Sequence, residues 1–344
     1  MSRHALLFLL LAASACAADA DTYLVLPDGT GDFPTIQTAI DSSANGDIIL
    51  LGDGTFTGDG NRDISYAGKE ITIRSESDSP VDCIIDCQGS SSFPHRGFIC
   101  TSGETALSKL RGITVTGGYM EGFSTKYTMG GGAYLEADSP FEPVAITIEN
   151  CVFRDNSARG GGAVFCGRFV YASFIDCVFE ANEARMGGAT GGMYCSGSGS
   201  PQLTRCTFVA NLSSGFGAFY LTSPILEDCD FTQHAQFGLY LASLNSGITC
   251  EITNCRFFGN AGGGMYLIDC ADAPAIHACS FWDNEADEGG GLRLTAGSSV
   301  LVTDCLFYDN RAIEGGGVLW CEDDCSAAFS NCTMAYNQAG TGAG

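Results

Sequence analysis

Apolar and polar residues alternate in short runs that recur along most of the chain, as in Ile146-Thr147-Ile148-Glu149-Asn150-Cys151-Val152-Phe153. A period of two places every second side chain on one face of a strand. Each run carries a cysteine followed two residues later by Phe, once by Met, then usually an Asn three residues on and a glycine cluster. The anchors are Cys151, Cys177, Cys206, Cys229, Cys255, Cys279, Cys305 and Cys332, at intervals of 26, 29, 23, 26, 24, 26 and 27 residues. A period near 26 predicts a solenoid in which each coil is strand, turn, strand, with cysteine and phenylalanine turned inward.

One segment has a helical period instead. Thr35-Ile36-Gln37-Thr38-Ala39-Ile40-Asp41 follows Pro34, spaces Ile36, Ala39 and Ile40 over one face, and is closed by Asn45-Gly46. A solenoid must cover its open end, so this is read as an N-terminal capping helix. Residues 21–60 form the lead-in and cap, and 61–344 the β-helix. Its early coils are irregular, with Ile71-Thr72-Ile73 and Ile113-Thr114-Val115 as strands, and the repeat is regular from about 145. Tyr336-Asn337-Gln338-Ala339-Gly340 begins another Asn-to-Gly turn, so the C-terminal end reads as incomplete, covered by a partner or by further sequence.

Composition agrees with an exported all-β chain. The 46 glycines in 344 residues interrupt almost every helical run. Arg3 and His4, the apolar run Ala5 to Ala13 and Ala15-Cys16-Ala17 read as a signal peptide over 1–17, with cleavage as late as 20 as the alternative. Ala13-Ser14-Ala15-Cys16 also resembles a bacterial lipoprotein signal, which would put a lipid anchor on Cys16. The location expected is secreted or cell-surface, with no transmembrane helix in the mature chain.

Removing residues 1–17 deletes one base and no acid, leaving 15 basic against 40 acidic residues, a formal charge of −25. Nucleic acid is excluded as a ligand, since its phosphates need a basic face. Ca²⁺ is the only metal worth weighing, at Glu322, Asp323 and Asp324 with Asp309 and Glu314 nearby, but no spaced calcium loop occurs and a solvated acidic face is preferred. No cofactor is expected.

The FxxN copies Phe153-Arg154-Asp155-Asn156, Phe179-Glu180-Ala181-Asn182, Phe208-Val209-Ala210-Asn211, Phe257-Phe258-Gly259-Asn260, Phe281-Trp282-Asp283-Asn284 and Phe307-Tyr308-Asp309-Asn310, with Gly161-Gly162-Ala163-Val164, resemble the polymorphic outer-membrane protein repeat. Later glycine clusters depart from it: Gly187-Gly188-Ala189 is followed by Thr190, and Gly290-Gly291-Leu292 and Gly316-Gly317-Val318 lack the alanine. Over residues 100 to 344 the resemblance implies a right-handed parallel β-helix of the pectin-lyase-like class, found in exported surface proteins, many of them adhesive. Asp28-Gly29-Thr30-Gly31-Asp32-Phe33-Pro34-Thr35-Ile36-Gln37-Thr38-Ala39-Ile40 resembles the opening of pectin methylesterases. The esterase Gln-Asp and Asp-Phe-Ile-Phe-Gly motifs are missing, as is the polygalacturonase set Asn-Thr-Asp, Asp-Asp and His-Gly; Asp323-Asp324 is an isolated pair.

The cysteine ladder is read as buried thiols, because coils about 4.8 Å apart hold in-register Cβ atoms too far apart for relaxed bridges. Cys83, Cys87, Cys100, Cys166, Cys195, Cys250, Cys270, Cys321 and Cys325 look less regular, and Cys83 with Cys87, Cys321 with Cys325 and Cys166 with Cys195 are candidate disulfides in an exported chain. The asparagines Asn156, Asn182, Asn211, Asn260, Asn284, Asn310 and Asn337 are read as a structural ladder of left-handed turn residues that bond nearby backbone, with His234 taking the place in one coil. His95 and His277 show no recognisable partner. No catalytic residue is assigned.

Specific activity is therefore sought on the interruptions. Gly112, taken as the anchor of its coil, precedes Cys151 by 39 residues, and the extra length is Tyr119-Met120-Glu121-Gly122-Phe123-Ser124-Thr125-Lys126-Tyr127. Tyr119, Phe123 and Tyr127 would stack on sugars and Glu121 and Lys126 would hydrogen-bond them. The favoured function is a non-catalytic surface or extracellular protein binding a glycan or cell-surface protein through this loop. The alternatives are a polysaccharide lyase or glycoside hydrolase of the same fold, and a stalk fragment of a larger surface protein.

Overall fold

The computed structural model describes residues 20–121, 128–244, 250–322 and 324–340. Three parallel sheets of 12, 11 and 10 strands run its length, each strand bonding to its counterpart one coil on. In a representative coil, Thr147–Glu149 lies in the first sheet, Val152–Arg154 in the second and Val164–Cys166 in the third. Chain neighbours lie in different sheets and sheet neighbours are about a coil apart in sequence, the topology of a parallel β-helix.

The single helix among the described residues, Ile36–Ser42, starts at Thr35, whose hydroxyl accepts from the Thr38 N–H while Thr38 answers the Thr35 N–H. Its buried Ile36, Ala39 and Ile40 join the core at the first coils.

The inward row of the second sheet is a column of rings from Phe153 to Phe307, centroids 4.4 to 5.6 Å apart and planes nearly parallel. Cysteine turns the corner before it. Each thiol lies against the carbonyl of the central residue of the preceding coil's first-sheet strand, for example Cys177 Sγ to Ile148 O at 3.4 Å and Cys206 Sγ to Phe174 O at 3.4 Å. A larger side chain at this corner would meet that backbone, which gives the small, weakly donating thiol its place.

Register enlarges the ladder beyond its sequence signature. Val152 pairs with Thr114, and Thr114 with Ile84, so Ile113 and Cys83 occupy the cysteine corner in the early coils. The anchor there is thus Ile113; Gly112 is the turn residue before it, at φ 69°. Four of the seemingly irregular cysteines, Cys100, Cys166, Cys195 and Cys321, share one inward row of the third sheet with Leu135, Leu241, Leu267 and Leu294. All 17 cysteines from Cys83 onward are free thiols, so none of the three candidate bridges forms. Cys166 and Cys195 face each other in register on adjacent coils, where Cβ separation disfavours a bond.

Fourteen of these thiols are buried, while Cys321 is exposed and Cys325 and Cys332 are half-buried. Burial pushes the thiols of Cys83, Cys100 and Cys151 up, away from the reactive thiolate. A thiol-reactive disulfide reagent is expected to label at most about three cysteines per native chain, Cys321 first, and the rest only on unfolding. Rapid labelling of ten or more in the native protein would contradict the packing.

The asparagines turn the next corner. Asn182 donates its backbone N–H and its Nδ2 to Asn211 Oδ1 (2.9 and 3.1 Å) and Nδ2 again to the Phe153 carbonyl (2.9 Å), while its own Oδ1 accepts from Asn156 N and Nδ2. The same pattern recurs from Asn260 through Asn337. The left-handed residue is not the asparagine, as its turn propensity suggested, but the residue before it: Asp155, Ala181, Ala210, Gln233, Gly259, Asp283, Asp309 and Tyr336 all have φ near +55°. That twist aims the asparagine inward, where its amide satisfies two backbone groups, the N–H of the asparagine one coil back and a phenylalanine carbonyl.

The glycine cluster closes the coil. Gly161 has φ +60°, and a Cβ there would lie 2.2 Å from the Val164 carbonyl; one on Gly162 would lie 2.4 Å from that of Glu183. Coils stack at this turn with backbone against backbone.

Candidate functional site

The outer face of the third sheet carries what the inward patterns leave over. Outward-facing positions in register are Ile99, Tyr134, Phe165, Tyr194, Gly217, Tyr240, Tyr266, Arg293 and Trp320. Gly217 leaves a notch, and the Phe219 ring folds back across it. Tyr134, Phe165, Tyr194 and Phe219 form a stacked column with centroids 5.2, 6.0 and 4.3 Å apart. Tyr240 breaks it, standing at 89° to Phe219 and parallel to Tyr266. The four rings of the column are packed down to between 5% and 9% exposure with Met129 and Ala189, whereas Tyr240 and Tyr266 beyond the break are half-buried, so the face shows ring edges along the column and more open phenols past it.

At the N-terminal end of the row lies a groove of about 440 Å³ lined by Asp63, Arg96, Ile99, Thr101, Met120, Tyr134, Glu136 and Asp138. Asp63 precedes the strand Ile64–Ser65, Arg96 lies just before Phe98–Cys100, and Tyr134 sits within Ala133–Leu135. Successive coils therefore stack these groups on one face.

The Arg96 guanidinium stands 5.0 Å from the centre of the Tyr134 ring and is buried, which lowers its affinity for the proton to about pKa 10. Asp63 accepts from the Arg96 N–H (3.0 Å) and from His95 Nδ1 (2.6 Å). The Tyr134 hydroxyl donates to Glu136, and burial with that carboxylate pushes its pKa far up, so it is a proton donor at neutral pH. Arg168 holds Glu136 at 3.2 Å and Asp138 at 3.5 Å. Polar groups of both signs are thus fixed in place around a ring, at the bottom of a concave site.

Of the lengthened coil, Met120 lines this groove, while neither Tyr119 nor Glu121, both expected to bind ligand, is among its lining residues; the Tyr119 backbone pairs with that of His95 (2.8 and 3.2 Å). Phe123, Lys126 and Tyr127 lie outside the described residues. Tyr119 is not an open stacking platform: the Arg185 guanidinium sits 4.7 Å from its ring centre and bonds its hydroxyl at 2.9 Å, and that hydroxyl also donates to Glu121. Glu322 is exposed, Asp324 is exposed with φ 69°, and Asp323 lies outside the described residues. Among the described residues no three His, Cys, Asp or Glu side chains gather as a metal site. His95 has the partner Asp63, and His277 has Thr303 and Asp304 at 3.0 and 3.3 Å.

A right-handed β-helix region model matches residues 126–286 and 243–344. The chain belongs to the right-handed β-helix family. The A-module of the Azotobacter vinelandii mannuronan C-5 epimerase AlgE4 is similar in structure, with a TM-score of 0.59 at 13% identity over 90% of this chain and 92% of the module. The periplasmic alginate epimerase AlgG aligns with a TM-score of 0.55 at 10% identity, over 84% of this chain and 77% of that one. At such identities the likeness is one of fold. No curated protein sequence matches. The finer likeness to polymorphic outer-membrane repeats does not recur in these comparisons.

The aromatic row and the Arg96 groove escaped the sequence reading. Their signal was present: Tyr134, Phe165, Tyr194, Tyr266 and Trp320 each follow the last glycine of a cluster by two or three residues, and Tyr240 follows the single Gly238 by two. A second aromatic set, Phe258 stacked on Trp282 at 4.5 Å and Tyr308 against Tyr336 at 5.3 Å, lies on the outer side of the second sheet.

Proposed function

We propose that this β-helix binds a carbohydrate in the groove above Tyr134. The observation that carries the reading is the groove itself: a concavity of about 440 Å³ whose ring, buried guanidinium and hydrogen-bonded carboxylates are held by three successive coils. Sugars present hydroxyls around apolar ring faces, and fixed polar groups beside an aromatic side chain complement them. The named activities of the AlgE4 and AlgG relatives, both on polysaccharides, agree with this choice of ligand. An exported chain would meet such polymers outside the cell.

Replacing Tyr134 with Phe keeps the stack and deletes the hydroxyl facing Glu136. Glycan affinity measured by calorimetry is expected to fall about tenfold, the loss of about one hydrogen bond between the phenol oxygen and a sugar hydroxyl, and the lost bond to Glu136 is expected to lower the melting temperature by a few degrees at most. Unchanged affinity would remove Tyr134 from the site.

A catalytic reading has one observation in its favour. His95, oriented by Asp63, and Tyr134, held protonated beside Glu136, are the base and acid types that proton transfer on a sugar requires. Unsaturated ends, new reducing ends or solvent deuterium in the recovered polymer would establish it.

A further inference from the structure

We propose that the ligand is an uncharged, extended polysaccharide that continues from the Tyr134 groove along the outer row of the third sheet to a second pocket over Phe219 and Tyr240. This rests on the carbohydrate reading above and adds the polymer's charge and its path.

The second pocket encloses about 550 Å³, with Tyr194, Phe219, Tyr220, Tyr240, Ser243 and Asp269 among its lining residues. It lies where the stacked column gives way to the perpendicular Tyr240. Tyr220 rises beside it, 59% exposed. Tyr134 and Tyr194 are two coils apart in one register row, so groove and pocket share a face and a line. From Tyr134 to Tyr266 the row makes five coil steps, about 24 Å at about 4.8 Å per coil, a length that suits an extended oligosaccharide rather than one sugar.

Charge selects the class of polymer. Among the described residues, the Tyr134 groove is lined by three carboxylates, Asp63, Glu136 and Asp138, against one guanidinium, Arg96, and the charged residue lining the second pocket is Asp269. The arginines around the row are already committed to carboxylates: Arg168 to Glu136, Arg185 to Glu183 at 3.0 Å, and Arg293 to Glu288 at 2.7 Å. A polyuronate would set a carboxylate against this surface at every sugar, on a chain of formal charge −24. Like charges about 4 Å apart at a protein surface repel by up to about 4 kcal/mol, and the field of the whole molecule opposes the approach as well. Phenol and serine hydroxyls between apolar rims match a polymer of neutral hydroxyls. This substrate class separates the chain from the alginate-epimerase relatives that share its fold.

Affinity electrophoresis of the full chain in gels containing mixed-linkage glucan, glucomannan or xylan, and in parallel alginate or polygalacturonate, tests the proposal. Expected is retardation by at least one neutral polymer, insensitive to salt, stronger for hexamers than for trimers in competition, and weakened about fivefold or more by Tyr220→Ala and by Tyr240→Ala. Tyr220 is exposed, so its variant folds irrespective of the outcome at Tyr240. Preferential, salt-sensitive retardation by a polyuronate overturns the inference on charge and leaves the carbohydrate reading standing. Neutral binding that both tyrosine variants leave intact overturns the path. Retardation by none of the polymers removes both readings.

Discussion

Asn182→Ala is expected to destabilise the chain by about 4 kcal/mol, the largest effect of any single polar substitution considered. The residue is fully buried and closes five hydrogen bonds: its amide accepts two from Asn156 and donates one to the Phe153 carbonyl and one to Asn211 Oδ1, and its backbone N–H donates a second to Asn211 Oδ1. The backbone N–H of residue 182 keeps its bond to Asn211 in the variant. What is lost takes the amide partner from the Asn156 N–H and the Phe153 carbonyl in a site closed to solvent, while the Asn156 amide keeps its bond to the Val115 carbonyl. Each such group costs about 1 to 3 kcal/mol, less what local rearrangement recovers, and the vacated volume adds to it. Urea unfolding reads the effect as a lower midpoint at an unchanged slope. A loss below about 1 kcal/mol would mean that the ladder follows from stacking of the coils and does not hold them.

The second large effect is a pH dependence carried by His234. This imidazole replaces asparagine in the ladder: Nδ1 accepts from the Asn211 N–H at 3.1 Å, and the His234 N–H donates to Asn260 Oδ1 at 3.2 Å. The ring proton must then sit on Nε2, which is buried without a hydrogen-bond partner. Burial pulls the pKa of the ring down to about 3. In the unfolded chain it is about 6.5. Above pH 6.5 both states are neutral and the residue has no pH effect. Between pH 6.5 and 3 the unfolded state binds a proton that the folded state refuses, so stability falls by about 1.4 kcal/mol per pH unit; below 3 the loss levels off at about 4 to 5 kcal/mol. His234→Asn restores the ladder amide and abolishes this slope. Stability curves for the two proteins should therefore converge near neutral pH and diverge as the solution is acidified. Parallel curves would show that the ring is protonated in the folded state.

Both predictions concern features that were readable in the sequence, and the reason is physical. A corner that must turn inward at every coil accepts few side chains, so Cys-x-Phe and the following Asn recur and expose the period. The same logic hid Ile113 and Cys83 in the early coils. A buried corner needs a compact side chain that is content without water, which isoleucine satisfies, so the signature lapsed while the geometry continued. Left-handed turns were assigned to asparagine by propensity, yet the residue before it bears the strain, because the asparagine amide is needed inside.

The site was less legible. The groove joins Asp63, Arg96 and Tyr134, residues of three separate coils whose alignment depends on irregular turns between them. Sequence spacing located the lengthened coil at Tyr119 to Tyr127, of which Met120 lines the groove. It did not reveal that Arg185, some 66 residues on, covers the Tyr119 ring. The outward aromatic row obeys the two-residue alternation of any strand, but its members vary between Ile, Phe, Tyr, Gly, Arg and Trp, so it lacks the fixed signature of the inward cysteines and phenylalanines.

The central claim is that the outer face of the third sheet is a carbohydrate site. Its most direct test is a crystal structure of the chain soaked with cellohexaose, xylohexaose and mannohexaose in turn. The account predicts a sugar in contact with Tyr134 and Arg96, its chain directed towards Phe219 and Tyr240. A sugar seated instead on Phe258 and Trp282 of the second sheet, with the Tyr134 groove bare, would contradict it.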